Sequence, residues 1–505
     1  MIRRSSANEQ KSMRRLVVPF LTLFVVVGLM SLSGVASARR TAPKLLDRDC
    51  GAIPPGFIRH LTCSWLVVPE DRDRASSPTI KLAVIVLPSR SPTPEPDPVV
   101  FLAGGPGDPG IEGYESFANS PMLEHRNLIL FDQRGAGLSE PSLDCPERVD
   151  AARVDLGRAE SPEFELRGLA DATAACRKRL ERDGVDLDAY NTEASAADVA
   201  DLREALGLDE WNLYGVSYGT RLALATMRSH PTGIRSVVLD SVYPTDVGGL
   251  QIYTEGAKAA FDRLVTACNA DVSCAALQPH LDQILQALVE RYNETPAEIT
   301  LSTGDRLVLT GDDIYAGLFD AMRNTDIIPA LPTLIESIGE GNLGLLEVQA
   351  EQGVTAVSTP MKGMFLSTEC ADAGKFADAR RDVQRAAGAE TPTSVLVRYS
   401  AQPYCYEWGV KPLPDSFSRP VRSKIPALVL AGSLDPITPA SDSKRAAKTL
   451  SHSVYVEFAG FGHGVTNGLD CPRAIREAFL NNPRTLLDTS CADAPAPAFL
   501  SQGLI

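Results

Sequence analysis

Serine is a weak nucleophile until a neighbour takes its proton, and one serine of this chain sits where that can be arranged. In Gly215-Val216-Ser217-Tyr218-Gly219 it lies between an apolar run that reads as a strand, Trp211 to Tyr214, and a helical run, Thr220 to Ser229. Gly-x-Ser-x-Gly in that setting forms a tight strand-to-helix turn that holds the hydroxyl out of the fold. A side chain at either glycine would collide with the neighbouring strand or helix. Small residues also cluster in ordinary turns, but here the required context stands on both sides.

Such a serine needs a base, and the base needs an acid to orient it. With this turn the chain order is Ser, then Asp or Glu, then His. Six histidines make the search short. His60, His125 and His230 come too early or on helix edges, and His280 falls among later helices. Of the two beyond residue 430, His452 precedes the last strand. His463 follows it, in the flexible loop Gly460-Phe461-Gly462-His463-Gly464, and is the expected base. Asp435, in Gly432-Ser433-Leu434-Asp435-Pro436, is the expected acid. Its rival is Asp240, at the end of the run Ser236 to Leu239, and either carboxylate could instead cap the next helix. The oxyanion of the tetrahedral intermediate needs backbone donors. One is the amide of Tyr218. The other is expected from Gly104-Gly105-Pro106-Gly107, at Gly105, because proline has no amide hydrogen. A phosphate cradle is the other use of such a turn, but no Gly-Lys-Ser/Thr follows.

These residues require a sheet whose strands end together. Ser64 to Pro69, Ile80 to Leu87, Val99 to Ala103, Asn127 to Phe131, Trp211 to Tyr214 and Ser236 to Leu239 are short apolar runs suited to strands buried on both faces. Ala194 to Leu206 has helical spacing, with Ser195 as N-cap and Gly207 as the stop. The alternation predicts an α/β fold with a doubly wound, mostly parallel sheet. From about Gly248 to Arg419 helical patterns dominate: Glu255 to Asn269, Leu281 to Asn293, Asp312 to Arg323 and Ile328 to Ile338. One hairpin interrupts them, Glu298 to Leu309. Strands return at Ala427 to Ala431 and Val454 to Phe458. Residues 39–247 and 420–505 are therefore expected to build one core, with 248–419 inserted as a largely helical lid over the carboxyl ends of the strands.

At this point the residues resemble a known family. Ala103-Gly104-Gly105-Pro106-Gly107 is similar to the His-Gly-Gly-Pro-Gly signature of proline iminopeptidases and related tripeptidyl aminopeptidases, with Ala103 in place of the histidine. Asp132-Gln133-Arg134-Gly135-Ala136-Gly137-Leu138-Ser139 resembles the next block, with Asp132 and Arg134 read as braces under the oxyanion turn. The serine turn, the Asp435 loop and the His463 loop follow in order. Cys370-Ala371-Asp372 and Cys405-Tyr406-Glu407-Trp408 look like the exported tripeptidyl branch. The resemblance spans roughly Cys50 to Cys491 and implies an α/β-hydrolase fold and a serine aminopeptidase. No metal or organic cofactor is implied.

An exopeptidase must recognise a free α-ammonium, which calls for carboxylates near the nucleophile. The resemblance places that role at Asp372. Glu369 is equally reachable, and a 370–405 disulfide would bring Glu407 nearby. The competing reading is three solvated surface acids. The expected partners are peptides with a free N-terminus, and an esterase or lipase on the same machinery is the alternative. An epoxide hydrolase or dehalogenase would carry a carboxylate where Ser217 stands, and a non-catalytic binding module usually loses the serine or the histidine.

The amino-terminal segment reads as an export signal. Arg3, Arg4, Lys11, Arg14 and Arg15 precede the apolar run Leu16 to Val35, and Ala36-Ser37-Ala38 is a small-x-small cleavage site. An uncleaved membrane anchor is the alternative. With residues 1–38 set aside, the formal charge of −15 becomes −19, from 44 basic and 63 acidic residues. Such a surface repels nucleic acid and anionic lipid. All ten cysteines lie beyond residue 38, an even number in an exported chain. Their spacing suggests the pairs 50–63, 145–176, 268–274, 370–405 and 471–491. A zinc site or buried thiols are the alternatives, but no Cys-x-x-Cys occurs. The expected location is secreted or periplasmic.

Overall fold

The strand Thr79–Leu87 shows how the sheet is buried. Ile80, Leu82 and Val84 enter one apolar layer, while Ala83, Ile85 and Leu87 enter another on the opposite face. Ala427–Gly432 behaves likewise, with Val429 on one side and Leu428 and Leu430 on the other. Successive side chains of a strand point to opposite faces, so a continuous apolar run belongs in a sheet covered on both.

The computed structural model describes residues 42–500 apart from 52, 54–59, 156, 158–161, 250–255, 303, 305, 345–361, 373–399 and 468–469. The expected export segment, 1–38, lies outside the described residues. The strands are β1 (Lys44–Asp47), β2 (Thr62–Pro69), β3 (Thr79–Leu87), β4 (Val99–Leu102), β5 (Leu128–Phe131), β6 (Trp211–Val216), β7 (Ile234–Asp240), β8 (Ala297–Thr300), β9 (Arg306–Leu309), β10 (Ala427–Gly432) and β11 (Ser453–Phe458). Among the described residues nine of them form one sheet in the order β1-β2-β3-β5-β4-β6-β7-β10-β11. Pairing is antiparallel from β1 to β3 and between β3 and β5. It is parallel from β5 through β4, β6, β7 and β10 to β11. The fold is of the expected α/β class with a mostly parallel sheet, and its parallel strands bring the ends of β4, β6, β7, β10 and β11 to one edge.

The helix before β6 spans Thr192–Ala205, and its N-cap is Asn191, not Ser195. The Asn191 side chain accepts from the Ala194 amide at 3.0 Å, whereas Ser195 is buried inside the first turn. Gly207 does end the helix, at φ +65°. Between β7 and β10, helices Ala257–Ala270, Leu281–Glu294, Gly311–Ala321 and Leu331–Gly339 pack with the β8–β9 hairpin around an apolar cluster of their own. Leu434, on the loop after β10, belongs to that cluster.

All ten cysteines are paired as their spacing suggests: 50–63, 145–176, 268–274, 370–405 and 471–491. Among the described residues no helix is long and apolar enough to cross a membrane.

Candidate active site

Ser217 follows β6 directly and caps the helix Tyr218–Ser229 at φ +59° and ψ −127°. Positive φ is rare for a residue with a side chain. Here it is held from both sides: the Ser217 amide donates to the Asp240 carbonyl at 3.0 Å, and its own carbonyl accepts from the Thr220 amide and hydroxyl at 2.9 and 2.6 Å. The two motif glycines are demanded by close approach. A Cβ on Gly215 would lie 2.4 Å from the Gly219 carbonyl oxygen, and one on Gly219 would lie 1.9 Å from that of Leu102. Gly219→Ala should therefore cost at least about 1–3 kcal/mol, the range for overpacking. Gly317→Ala is the control, since nothing lies within 4 Å of a Cβ there. Thermal denaturation of both checks this, and equal midpoints would contradict it.

The Gly104-Gly105 turn stands directly against the serine. A Cβ on Gly104 would meet that of Ser217 at 3.2 Å. Gly105 has φ +100°, a conformation open only to glycine without strain. The Tyr218 amide opens its helix and so has no intrahelical acceptor. Asp132 braces the following segment by accepting from the Ile111 and Leu138 amides at 2.9 and 2.8 Å. Arg134 grips Asp198 through two nitrogens, 2.7 and 2.8 Å. Gln133, which sequence reasoning passed over, holds the turn itself: its Nε2 donates to the Ala103 carbonyl at 2.9 Å.

His463 and Asp435 meet. Nδ1 of His463 donates to Oδ2 of Asp435 at 2.9 Å, and both side chains are buried. The other carboxylate oxygen accepts from the Ile437 and Thr438 amides at 2.8 and 2.9 Å. One oxygen thus holds the turn while the other serves the histidine; the next helix, Ala440–Ala447, has Pro439 as its N-cap and no side-chain cap, so Asp435 does not cap it. Thr438 was missed. Its hydroxyl donates to Asp435 Oδ2 at 2.8 Å and lies 3.1 Å from His463 Nδ1. Burial pushes the Asp435 carboxyl up, but the facing imidazole and these hydrogen bonds outweigh it and hold it below the usual carboxylate range.

Asp240, the rival acid, does different work. Its carboxylate accepts from the Val465 and Thr466 amides, both at 3.0 Å, and from the Thr466 hydroxyl at 2.6 Å. The Ser241 hydroxyl accepts from the Gly464 amide at 2.8 Å. Far from being free, the histidine loop is tied to β7, and the His463 amide donates to the Arg323 carbonyl at 2.9 Å. A Cβ on Gly464 would lie 3.5 Å from Val216, which places this loop beside the end of β6, next to Ser217. His452 lies at the other end of β11, where Nδ1 donates to the Lys424 carbonyl. The inserted helices reach the same edge, with Arg263 donating to the Asp435 carbonyl at 2.8 Å.

Glu369 and Asp372 are not surface acids: they are 4% and 2% exposed. They lie on the helix Gly363–Asp372, which starts over the Gly104–Gly107 turn, where Lys362 pairs with Asp108. Both carboxylates face the buried Arg221, one turn along the helix that Ser217 caps, at 4.0 and 3.5 Å. Tyr243 donates to Glu369 at 3.1 Å, and Thr192 donates to Asp372 at 2.6 Å while its hydroxyl also meets that of Tyr218 at 2.8 Å. Arg221 spends its other terminal nitrogen on the Pro244 and Val247 carbonyls and stacks on Tyr243. Two carboxylates therefore share one guanidinium, and Asp372 Oδ1, buried, finds no donor among the described residues. Burial pushes Asp372 up to about 7, against the pull of Arg221 and Thr192, with Glu369 adding to the rise. Burial likewise raises Glu369. Glu407 joins neither acid in a hydrogen bond among the described residues.

Comparison with known proteins is consistent with this geometry. The family described as alpha/beta hydrolase fold matches residues 97–269, a span that includes the Gly104-Gly105 turn and Ser217. The family described as TAP-like protein matches 393–492, which holds the acid and histidine loops. The putative hydrolase YuaR of Escherichia coli is 23% identical over 432 residues, 80% of this chain and 82% of that one. Serine protease Hip1 of Mycobacterium tuberculosis is 24% identical over 481 residues, 87% and 90% of the two chains. A tripeptidyl aminopeptidase of Streptomyces lividans is 29% identical over 220 residues, 42% and 40% of the two chains.

Proposed function

Because the chain belongs to the α/β-hydrolase peptidases, we propose that it is an exported serine aminopeptidase, releasing tripeptides or single residues from a free N-terminus. Ser217 attacks the scissile carbonyl, and His463 takes its proton and later delivers it to the leaving amine. Asp435 fixes the imidazole with Nδ1 protonated, so that Nε2 is the basic nitrogen. The amides of Gly105 and Tyr218 receive the oxyanion. The inserted helices act as the lid, and the five disulfides suit an oxidising compartment.

The observation that carries the aminopeptidase reading is the charge imbalance at Arg221. A buried carboxylate without a full partner is costly, and a substrate ammonium is the cation that completes the set. The pH dependence has a definite sign. Above about pH 7 Asp372 is ionised and receives the ammonium; below it the carboxyl holds a proton and the attraction weakens. For a free-amine peptide relative to a simple ester, a ratio in which the chemistry common to both substrates cancels, kcat/KM should fall as pH drops through about 7. Asp372→Asn should flatten that ratio and raise KM for the peptide more than for the ester. A ratio independent of pH and of Asp372→Asn would remove the acids from substrate binding and favour an esterase.

A further inference from the structure

The opposite edge of the sheet carries a second feature. A cleft of about 730 Å³ opens at the amino-terminal ends of β6, β7 and β10, where Glu210, Ile234 and Pro426 form part of its wall. The six residues of β6 separate this edge from Ser217, roughly 20 Å at the rise of a strand. Five cationic side chains line it, Arg228, Arg235, Arg422, Lys424 and Arg484, against one carboxylate, Glu210. In a chain of formal charge −15 such a concentration runs against the whole surface.

Two of the five are fixed by the fold. Arg228 donates to Glu193 and to the Phe417 carbonyl, at 2.8 and 2.9 Å. Arg235 lies 3.3 Å from Asp97 and donates to the Leu480 carbonyl at 2.8 Å. Arg422, Lys424 and Arg484 are exposed, and among the described residues no hydrogen bond or ion pair engages their side chains. The backbone between the first two is pinned, with the Ser451 amide donating to the Ser423 carbonyl at 3.0 Å and His452 bonding that of Lys424. Arg422 and Lys424 are therefore carried on one fixed stretch of backbone in the cleft wall.

Like charges held together are relieved by a counter-charge. Guanidinium forks match the oxygens of phosphate in two-point contacts. The cleft is far larger than one small ion and falls in the range of small-molecule sites, about 300–1,000 Å³. We propose that it binds a soluble anion carrying several phosphates, at a site separate from the hydrolytic one.

The test uses the whole protein and inorganic tripolyphosphate as the probe, by titration calorimetry at about 0.15 M salt, where diffuse attraction is largely screened. Saturable binding at one site is expected, weakened at least about tenfold by the combined variant Arg422→Ala, Lys424→Ala and Arg484→Ala. Peptide hydrolysis should be unchanged, since none of the three touches the triad or its braces. The proposal is overturned by absence of saturable binding, by equal affinity of the variant, or by sulfate competing equally at matched charge. Binding to phosphatidylglycerol vesicles without binding to tripolyphosphate would also overturn it, and would assign the patch to a membrane surface.

Discussion

Ser217→Ala should lower kcat/KM by at least about a thousandfold and leave the thermal midpoint unchanged. Triad members act as a unit, so removing the nucleophile forfeits nearly all of their joint effect. The turn itself should survive. Its hydrogen bonds at residue 217 come from the backbone, and alanine meets the same positive φ as serine. Rates on a chromogenic peptide, together with labelling by a fluorophosphonate probe, check this. Turnover near wild type, or a label on any other serine, would take Ser217 out of the mechanism.

The second large effect separates the two buried aspartates. Asp435→Asn should cost up to about ten-thousandfold in kcat, the scale of the corresponding change in a well-studied triad. Asparagine keeps the shape, and its oxygen can still accept from the Ile437 and Thr438 amides. Its NH2 then faces His463 Nδ1 and favours the wrong tautomer. Asp240→Asn should act mainly on stability, because the acceptors it weakens serve the Val465 and Thr466 amides and the Thr466 hydroxyl. Parallel kinetics and melting curves decide it. A crippled Asp240→Asn of normal stability would put the acid on β7.

What the sequence disclosed is what depends on local pattern. Apolar runs gave the strands to within a residue or two, and the serine turn was recognisable because its glycines answer steric demands within five residues. The cysteine pairs followed from short separations. The N-cap at Asn191 was missed because the helix was placed from its apolar spacing, while its true first turn begins at the buried polar Thr192. The short edge strand β1 carries no apolar run to betray it. Arg221, Thr192, Gln133 and Thr438 were invisible for a different reason. Thr192 meets Asp372 across 180 positions and Arg221 meets it across 151, and no periodicity records such a contact. Burial of Glu369 and Asp372 could not be read either, since acidic residues in so acidic a chain look alike until the fold covers some of them.

A requirement for a free substrate amine is read from one matched pair: the same chromogenic peptide with its N-terminus free and acetylated. Acetylation removes the cation that the proposed function assigns to Asp372 and Glu369. A charge-assisted contact is worth about 1.5–3 kcal/mol, so kcat/KM should fall roughly ten- to hundredfold or further. Equal kcat/KM for the two peptides would remove the amine requirement and leave an esterase or endopeptidase on the same triad.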